Sequence, residues 1–297
     1  MNEIKDYLQY FFINFEFPED ARETLLRGFE KIAVSKKGTE IFKDALQDYD
    51  RDRYYSYSAL LSHVLEILNY IEIDEYALKL LFNIALTKIL RGYYLKENIS
   101  LEIWRDSVKD IKYKLMECKA VYGKWGTFAK DWFRCLFDMT RFGFGILQFH
   151  QTKFNSEYNH NGITLTSDSI VISVHIPRTG KPLAREDVAS AYGRARRFFT
   201  DRIGSPVIFV CRSWLLFPKL RQVLSPQSNL LAFAKDYDVF DYGEYADYEE
   251  TWRIFDKRFT PELETLPQKT SLQRVVLEWI KEGEKFGWGY GVYRHEN

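Results

Sequence analysis

Apolar positions in the first 120 or so residues recur at helical spacing. Tyr57, Leu60, Leu61, Val64, Leu65, Leu68 and Ile71 fall on one helix face. The stretch from Tyr76 to Leu90 is apolar almost all round, which predicts the central helix of a small bundle. Phe17-Pro18-Glu19-Asp20 reads as a helix start, with proline and acids in the first turn. Ser100 is placed to cap a helix that turns Ile103, Trp104, Val108, Ile111 and Leu115 inward. The pattern predicts an all-helical domain over residues 1–122.

The texture changes after Gly123-Lys124-Trp125-Gly126. A short helix is expected over Lys130 to Met139, followed by a strand from Phe144 to His150. Ile163 to Leu165 and Ser169 to Ile176 flank the turn Ser167-Asp168 and predict an antiparallel hairpin. Asp187 to Asp201 is a helix with Val188, Ala191, Tyr192, Ala195, Phe198 and Phe199 as its apolar stripe. Pro206 to Cys211 is nearly all apolar, as in a strand covered on both faces. Ser225-Pro226 predicts an N-cap followed by proline at the first helical position. Thr270-Ser271-Leu272-Gln273 fits a capping box and opens a helix to about Lys285. The final Gly287 to Tyr293 reads as a strand, whose alternate glycines let another backbone or ring lie close. It is no dinucleotide fingerprint, because no helix follows it. Residues 123–297 therefore form an α+β domain, in which a mixed sheet is flanked by helices.

Composition narrows the function classes. The chain has 297 residues, 46% of them hydrophobic, so a large buried core is expected. Acidic and basic side chains balance at 42 each, which is not the footprint of a general nucleic-acid binder. Cys118, Cys135 and Cys211 are widely spaced, which argues against a zinc site or disulfide framework and fits a reducing cytoplasm. The N-terminus lacks the basic region and cleavage site of a signal peptide. No run approaches the ~18 uncharged apolar residues of a membrane span.

The candidate chemistry gathers between Val171 and Gly243. His175 ends the strand VISVHIP; a histidine beside a loop is a candidate general base, although a structural side chain with one hydrogen bond is the commoner case. Arg178-Thr179-Gly180-Lys181-Pro182 sets two cations around a glycine ahead of a helix, a layout that holds a pyrophosphate through backbone N–H groups and charge. Arg194, Arg196, Arg197 and Arg202 on that helix read as a solvated basic face. Ser228-Asn229 opens a helix that leads to Tyr237, and Asn229 reads first as a cap. Ser213 lacks the Gly-x-Ser-x-Gly turn of a hydrolase nucleophile. The scattered histidines lack metal-ligand spacing.

GFGILQF (143–149), HIPRTGKPL (175–183), the Ala/Arg helix ending in Arg197-Phe198-Phe199, CRSWLLFP (211–218), SPQSNLLAF (225–233) and LPQKTSLQRVV (266–276) occur in an order that resembles bacterial N-acyltransferases with a helical N-terminal domain and a GNAT-like C-terminal domain. The resemblance implies a sheet that opens into a V between two strands, here Ser169–Ile176 and Pro206–Cys211. It implies acyl-CoA, acetyl-CoA being the expected form, with pantetheine in the V along Val174 and Ile176. The pyrophosphate would lie on Arg178, Thr179, Gly180 and Lys181, and Ser228 and Asn229 would also contact the cofactor. The implied reaction is direct attack of an amine on the thioester, without a metal. His175, or a water it orders, would take the amine proton, and Tyr237 or Tyr192 would protonate the thiolate. The phosphate loop carries one glycine, and Asp236 stands where the family has its tyrosine. The acceptor would be a small molecule or peptide, with neither nucleic acid nor membrane involved. Two alternatives stay open: a GNAT-like binding or interaction module without catalysis, and an acyl carrier protein as donor, docked on Arg178, Lys181 and Arg185.

Overall fold

The computed structural model describes residues 1–160 and 162–293. They divide into two compact units, residues 1–143 and 144–297.

In the first unit, α1 (Asn2–Asn14), α2 (Glu19–Val34), α3 (Lys36–Arg51), α4 (Tyr57–Leu65), α6 (Leu101–Val108) and α7 (Asp110–Tyr122) surround α5 (Glu75–Lys96). α5 is buried on every side over its middle turns, as its unbroken apolar run requires. Ring packing fixes its neighbours: Phe42 meets Phe82 edge-on at 5.7 Å and Phe29 at 6.0 Å. The helix starts are set locally. Asp74 Oδ1 accepts from the N–H groups of Tyr76 and Ala77, and Ser100 Oγ accepts from Glu102. The single helix expected after Ser100 is broken at Lys109 into α6 and α7.

Residues 123–143 pack on these helices, which is why the compact unit reaches past the composition change at residue 123. Thr127 N–H donates to Tyr76 O at 3.0 Å, and Tyr49 Oη to Phe137 O at 2.8 Å. The ring of Phe137 stacks on Tyr57. Only α8 (Arg134–Phe137) of the expected 130–139 helix forms. β1 (Arg141–Phe144) follows, and Gly145, at φ +62°, turns the chain into β2 (Leu147–Lys153). The strand expected over 144–150 is therefore two strands.

In the second unit, β3 (Tyr158–His160), β4 (Ile163–Leu165) and β5 (Ile170–His175) lead to the long helix α9 (Arg185–Ile203). β6 (Phe209–Ser213), α10 (Pro218–Val223), α11 (Asn229–Lys235), β7 (Tyr237–Glu244), α12 (Trp252–Phe255), α13 (Ser271–Lys281) and β8 (Gly287–Tyr293) complete it. The main sheet runs β1-β2-β5-β6-β8-β7. β5 and β6 are parallel; β2–β5, β6–β8 and β7–β8 are antiparallel. The hairpin expected across Ser167-Asp168 does not form: β4 pairs with β3, and β5 joins the main sheet beside β2. The apolar alternation is the same in either arrangement, so it could not choose the partner.

One sheet face packs on α9 through Phe149, Tyr192, Phe199, Phe209 and Tyr293. The other carries Val171, Val210, Tyr290 and Val292 beneath Phe154, Tyr158 and Leu165 of the β3–β4 region. A third cluster joins α12 and α13 around Phe255, Leu277 and Phe286. The capping box is present: Thr270 and Gln273 bond reciprocally at the start of α13. The glycines of β8 admit close neighbours. A Cβ at Gly289 would strike the Leu216 carbonyl, and one at Gly291 would sit 3.0 Å from Tyr237 Cβ.

Candidate active site

The site is set by where β5 and β6 part. Their parallel register runs Ile172↔Phe209 and Ser173↔Val210, and Ile172 N–H donates to Ile208 O at 2.9 Å. Beyond that, Val174 and His175 stay paired with Phe149 and Gln148 of β2, while Cys211 to Ser213 follow β8. The sheet thus opens at the C-terminal end of β5, one residue before the loop that carries Arg178.

Pleating divides the predicted site residues between two faces. Val174 is register partner to Phe149, whose ring meets Tyr192 of α9 at 5.4 Å, so Val174 lies on the α9 face. His175 is on the opposite face. There its ring stacks on His150 at 6.0 Å between centroids and 28° between planes, beside Gln148. His150 and Gln148 were not singled out from the sequence. Their signal was available: in Leu147-Gln148-Phe149-His150 the polar residues share the face opposite Phe149.

On the α9 face Tyr192 and Tyr237 meet. Their hydroxyls share a hydrogen bond, and both residues are buried, Tyr237 completely. Burial pushes both phenols well above the usual tyrosine pKa, so both hold their protons at neutral pH. Burial pushes the nearby Cys211 thiol up to about 12. Tyr293 stacks on Tyr192 at 4.3 Å, and Phe233 of α11 packs on Tyr237 at 5.4 Å. The dyad therefore sits where α9, α11 and β7 converge.

The loop 176–184 folds on itself before α9. Lys181 N–H donates to Thr179 Oγ1 at 3.1 Å, and Gly180 takes φ +76°. α9 begins after Ala184 with no side-chain cap hydrogen bond. Two carboxylates hold the arginines of the loop and of the α9 start: Asp256, just past α12, pairs with Arg178, and Asp236, between α11 and β7, pairs with Arg185. Asp236 thus ties α11 to the start of α9. Ser228, rather than Ser225, caps α11, accepting from Leu230 N–H at 3.2 Å, and leaves Asn229 exposed in the first turn. Further along α9, Arg194 and Arg202 lie over Phe144 and Phe198.

Among the described residues no group of His, Cys, Asp and Glu is arranged to hold a metal; His295 lies outside them. No described helix is long and apolar enough to cross a membrane.

Solved structures of the same fold are found. A crystal structure of an acyltransferase with decanoyl-CoA and teicoplanin shares 18% identity, covers 96% of this chain and 86% of its own, and superposes with a TM-score of 0.75. An acyltransferase variant with octanoyl-CoA shares 19%, covers 98% and 88%, and superposes at 0.73. An acyltransferase with CoA and 10C-teicoplanin shares 18%, covers 96% and 87%, and superposes at 0.74. No curated protein matches the sequence. Residues 6–139 match the model of the N-acyltransferase N-terminal domain, and residues 141–293 that of the GNAT-like C-terminal domain. The chain belongs to the acyltransferase family that joins these two domains.

Proposed function

We propose that the protein transfers a medium-chain acyl group from acyl-CoA to an amine of a small-molecule acceptor by direct attack. The observation that carries this is the parting of β5 from β6 immediately before the phosphate-type loop and the uncapped start of α9. Pantetheine takes the place β6 has vacated, along Val174 and Ile176. The pyrophosphate lies on the Arg178–Lys181 backbone and the first N–H groups of α9. Asn229, exposed at the start of α11, would add a further contact to the cofactor. Arg178 and Arg185 are engaged by carboxylates, which reduces the positive charge that docking of an acidic carrier protein would use. Octanoyl-CoA and decanoyl-CoA in the neighbouring structures favour a medium chain over acetyl, and teicoplanin in two of them favours a discrete small acceptor.

Backbone N–H groups where the strands part stabilise the developing oxyanion. His175, on one face of the sheet, takes the amine proton directly or through water. The Tyr192–Tyr237 dyad, on the other, returns a proton to the leaving thiolate. Tyr237→Phe should lower kcat about tenfold or more, with the Kd for CoA within about twofold of wild type. An unchanged kcat would remove Tyr237 from the chemistry.

Calorimetric titration with acetyl-, octanoyl- and decanoyl-CoA tests the reading. A buried methylene contributes about 0.8 kcal/mol, so the medium-chain donors should bind at least about tenfold more tightly than acetyl-CoA. Heat with none of them would favour a GNAT-like module without a donor site. Equal affinity for all three would remove the preference for a medium chain.

A further inference from the structure

We propose that Asp256 sets the donor affinity by competing with the donor's phosphates for Arg178, which rests on the acyl-CoA reading above. The Arg178 guanidinium is ion-paired to the Asp256 carboxylate, and both side chains remain about one-third to two-fifths exposed, 40% and 35%. The pair is therefore open to exchange with an anion from solvent. Asp256 is held in place by more than its charge. It is the αL residue that ends α12, at φ +54°, and its N–H donates to Trp252 O at 2.8 Å. α12 is anchored beneath it by Ile254 and Phe255, and the Ile254 carbonyl accepts from Gln273 Nε2 of α13 at 3.0 Å. The carboxylate is thus presented by a fixed backbone, while Arg178 rides on a loop that turns at Gly180.

A phosphate oxygen placed on this loop meets a guanidinium already occupied by a carboxylate, and donor binding must release it. Arg178 then trades one oxyanion for another, and Asp256 is left to water. The exchange keeps the loop formed without donor and weakens the grip on donor. Asp236 plays no equivalent part. It is largely buried and ties α9 to α11, so its bond to Arg185 belongs to the scaffold.

The test is the dissociation constant of CoA itself, measured by calorimetry on the full chain for wild type, Asp256→Asn, Arg178→Ala and the double variant. An exposed ion pair contributes at most about 1 kcal/mol, so Asp256→Asn should bind CoA about three- to fivefold more tightly. In the Arg178→Ala background the same substitution should change affinity less than about 1.5-fold. Asp256→Asn binding no tighter than wild type would overturn the proposal and leave the donor reading intact. Tightening that persists without Arg178 would also overturn it, because the effect would then be a general loss of negative charge. If neither wild type nor Asp256→Asn binds CoA, the donor reading fails and this proposal with it. Thermal melts of all four proteins without CoA identify any variant that is not folded. Asp256→Ser, which also removes the carboxylate, should tighten binding to the same degree and serves in place of a misfolded Asp256→Asn.

Discussion

His175→Ala is expected to lower kcat by about two to four orders of magnitude, with CoA affinity within about twofold of wild type. The argument is positional. His175 is the last residue of β5, two residues past the final β5–β6 register pair, so its side chain stands at the mouth of the opening. It points away from α9, opposite the Tyr192–Tyr237 dyad. An amine attacking a thioester held in the gap gives up its proton on one side while the thiolate leaves on the other. A base and an acid on opposite faces match that division, whereas a base beside the dyad would not. The stack with His150 and the adjacent Gln148 hold the imidazole where it is. The measurement is a pH–rate profile with saturating donor. Wild type should show an acidic limb, where the base becomes protonated, and that limb should disappear in His175→Ala along with most of the turnover. His175→Gln, which keeps polarity but cannot take a proton at neutral pH, should be as slow as the alanine variant. Turnover within about twofold of wild type in either variant would exclude His175 as base.

How much of this was legible in the sequence follows from what each signal encodes. The apolar face of Tyr57 to Ile71, the all-round burial of α5 and the stripe of α9 are periodicities, and periodicity records burial directly. The Thr270–Gln273 capping box was legible because it is a local bond within four residues. Strand partners were not, because the alternation in Ile163 to Leu165 and Val171 to His175 is satisfied by any half-buried sheet; hence the hairpin that did not form. Ser225-Pro226 looked like a cap, yet Ser228 three residues on does the work, since both are serines followed by residues able to start a helix. The site divides in the same way. His175, the Gly180 loop and Tyr237 stand in a short, chemically marked stretch. The pairings of Arg178 with Asp256 and Arg185 with Asp236 span 78 and 51 residues, and no spacing rule links such residues.

The largest expected loss of stability lies in the helical unit, at Arg141. Its guanidinium lies over the ring of Trp132 at 4.1 Å and donates to Trp132 O at 2.6 Å, in a site where Arg141 is only 3% exposed. Asp110, fully buried, accepts from the Trp132 indole N–H, and its charge favours the ionised Arg141 guanidinium. Burial pulls the guanidinium pKa down and the Asp110 charge pulls it back up. Arg141→Met fills similar volume but leaves the buried Asp110 carboxylate without the guanidinium's opposing charge, and removing one of two interacting buried charges costs about 3–5 kcal/mol. A unit of this size should then melt roughly 10 °C lower. Asp110→Asn keeps an acceptor for the indole while removing the charge. In the Arg141→Met background it should therefore restore about 1–2 kcal/mol, although in wild type it destabilises. Urea unfolding of the four proteins measures the cycle. Strictly additive effects would mean that the two charges are not coupled, and that Arg141 contributes through its stack on Trp132 and its bond to the Trp132 carbonyl.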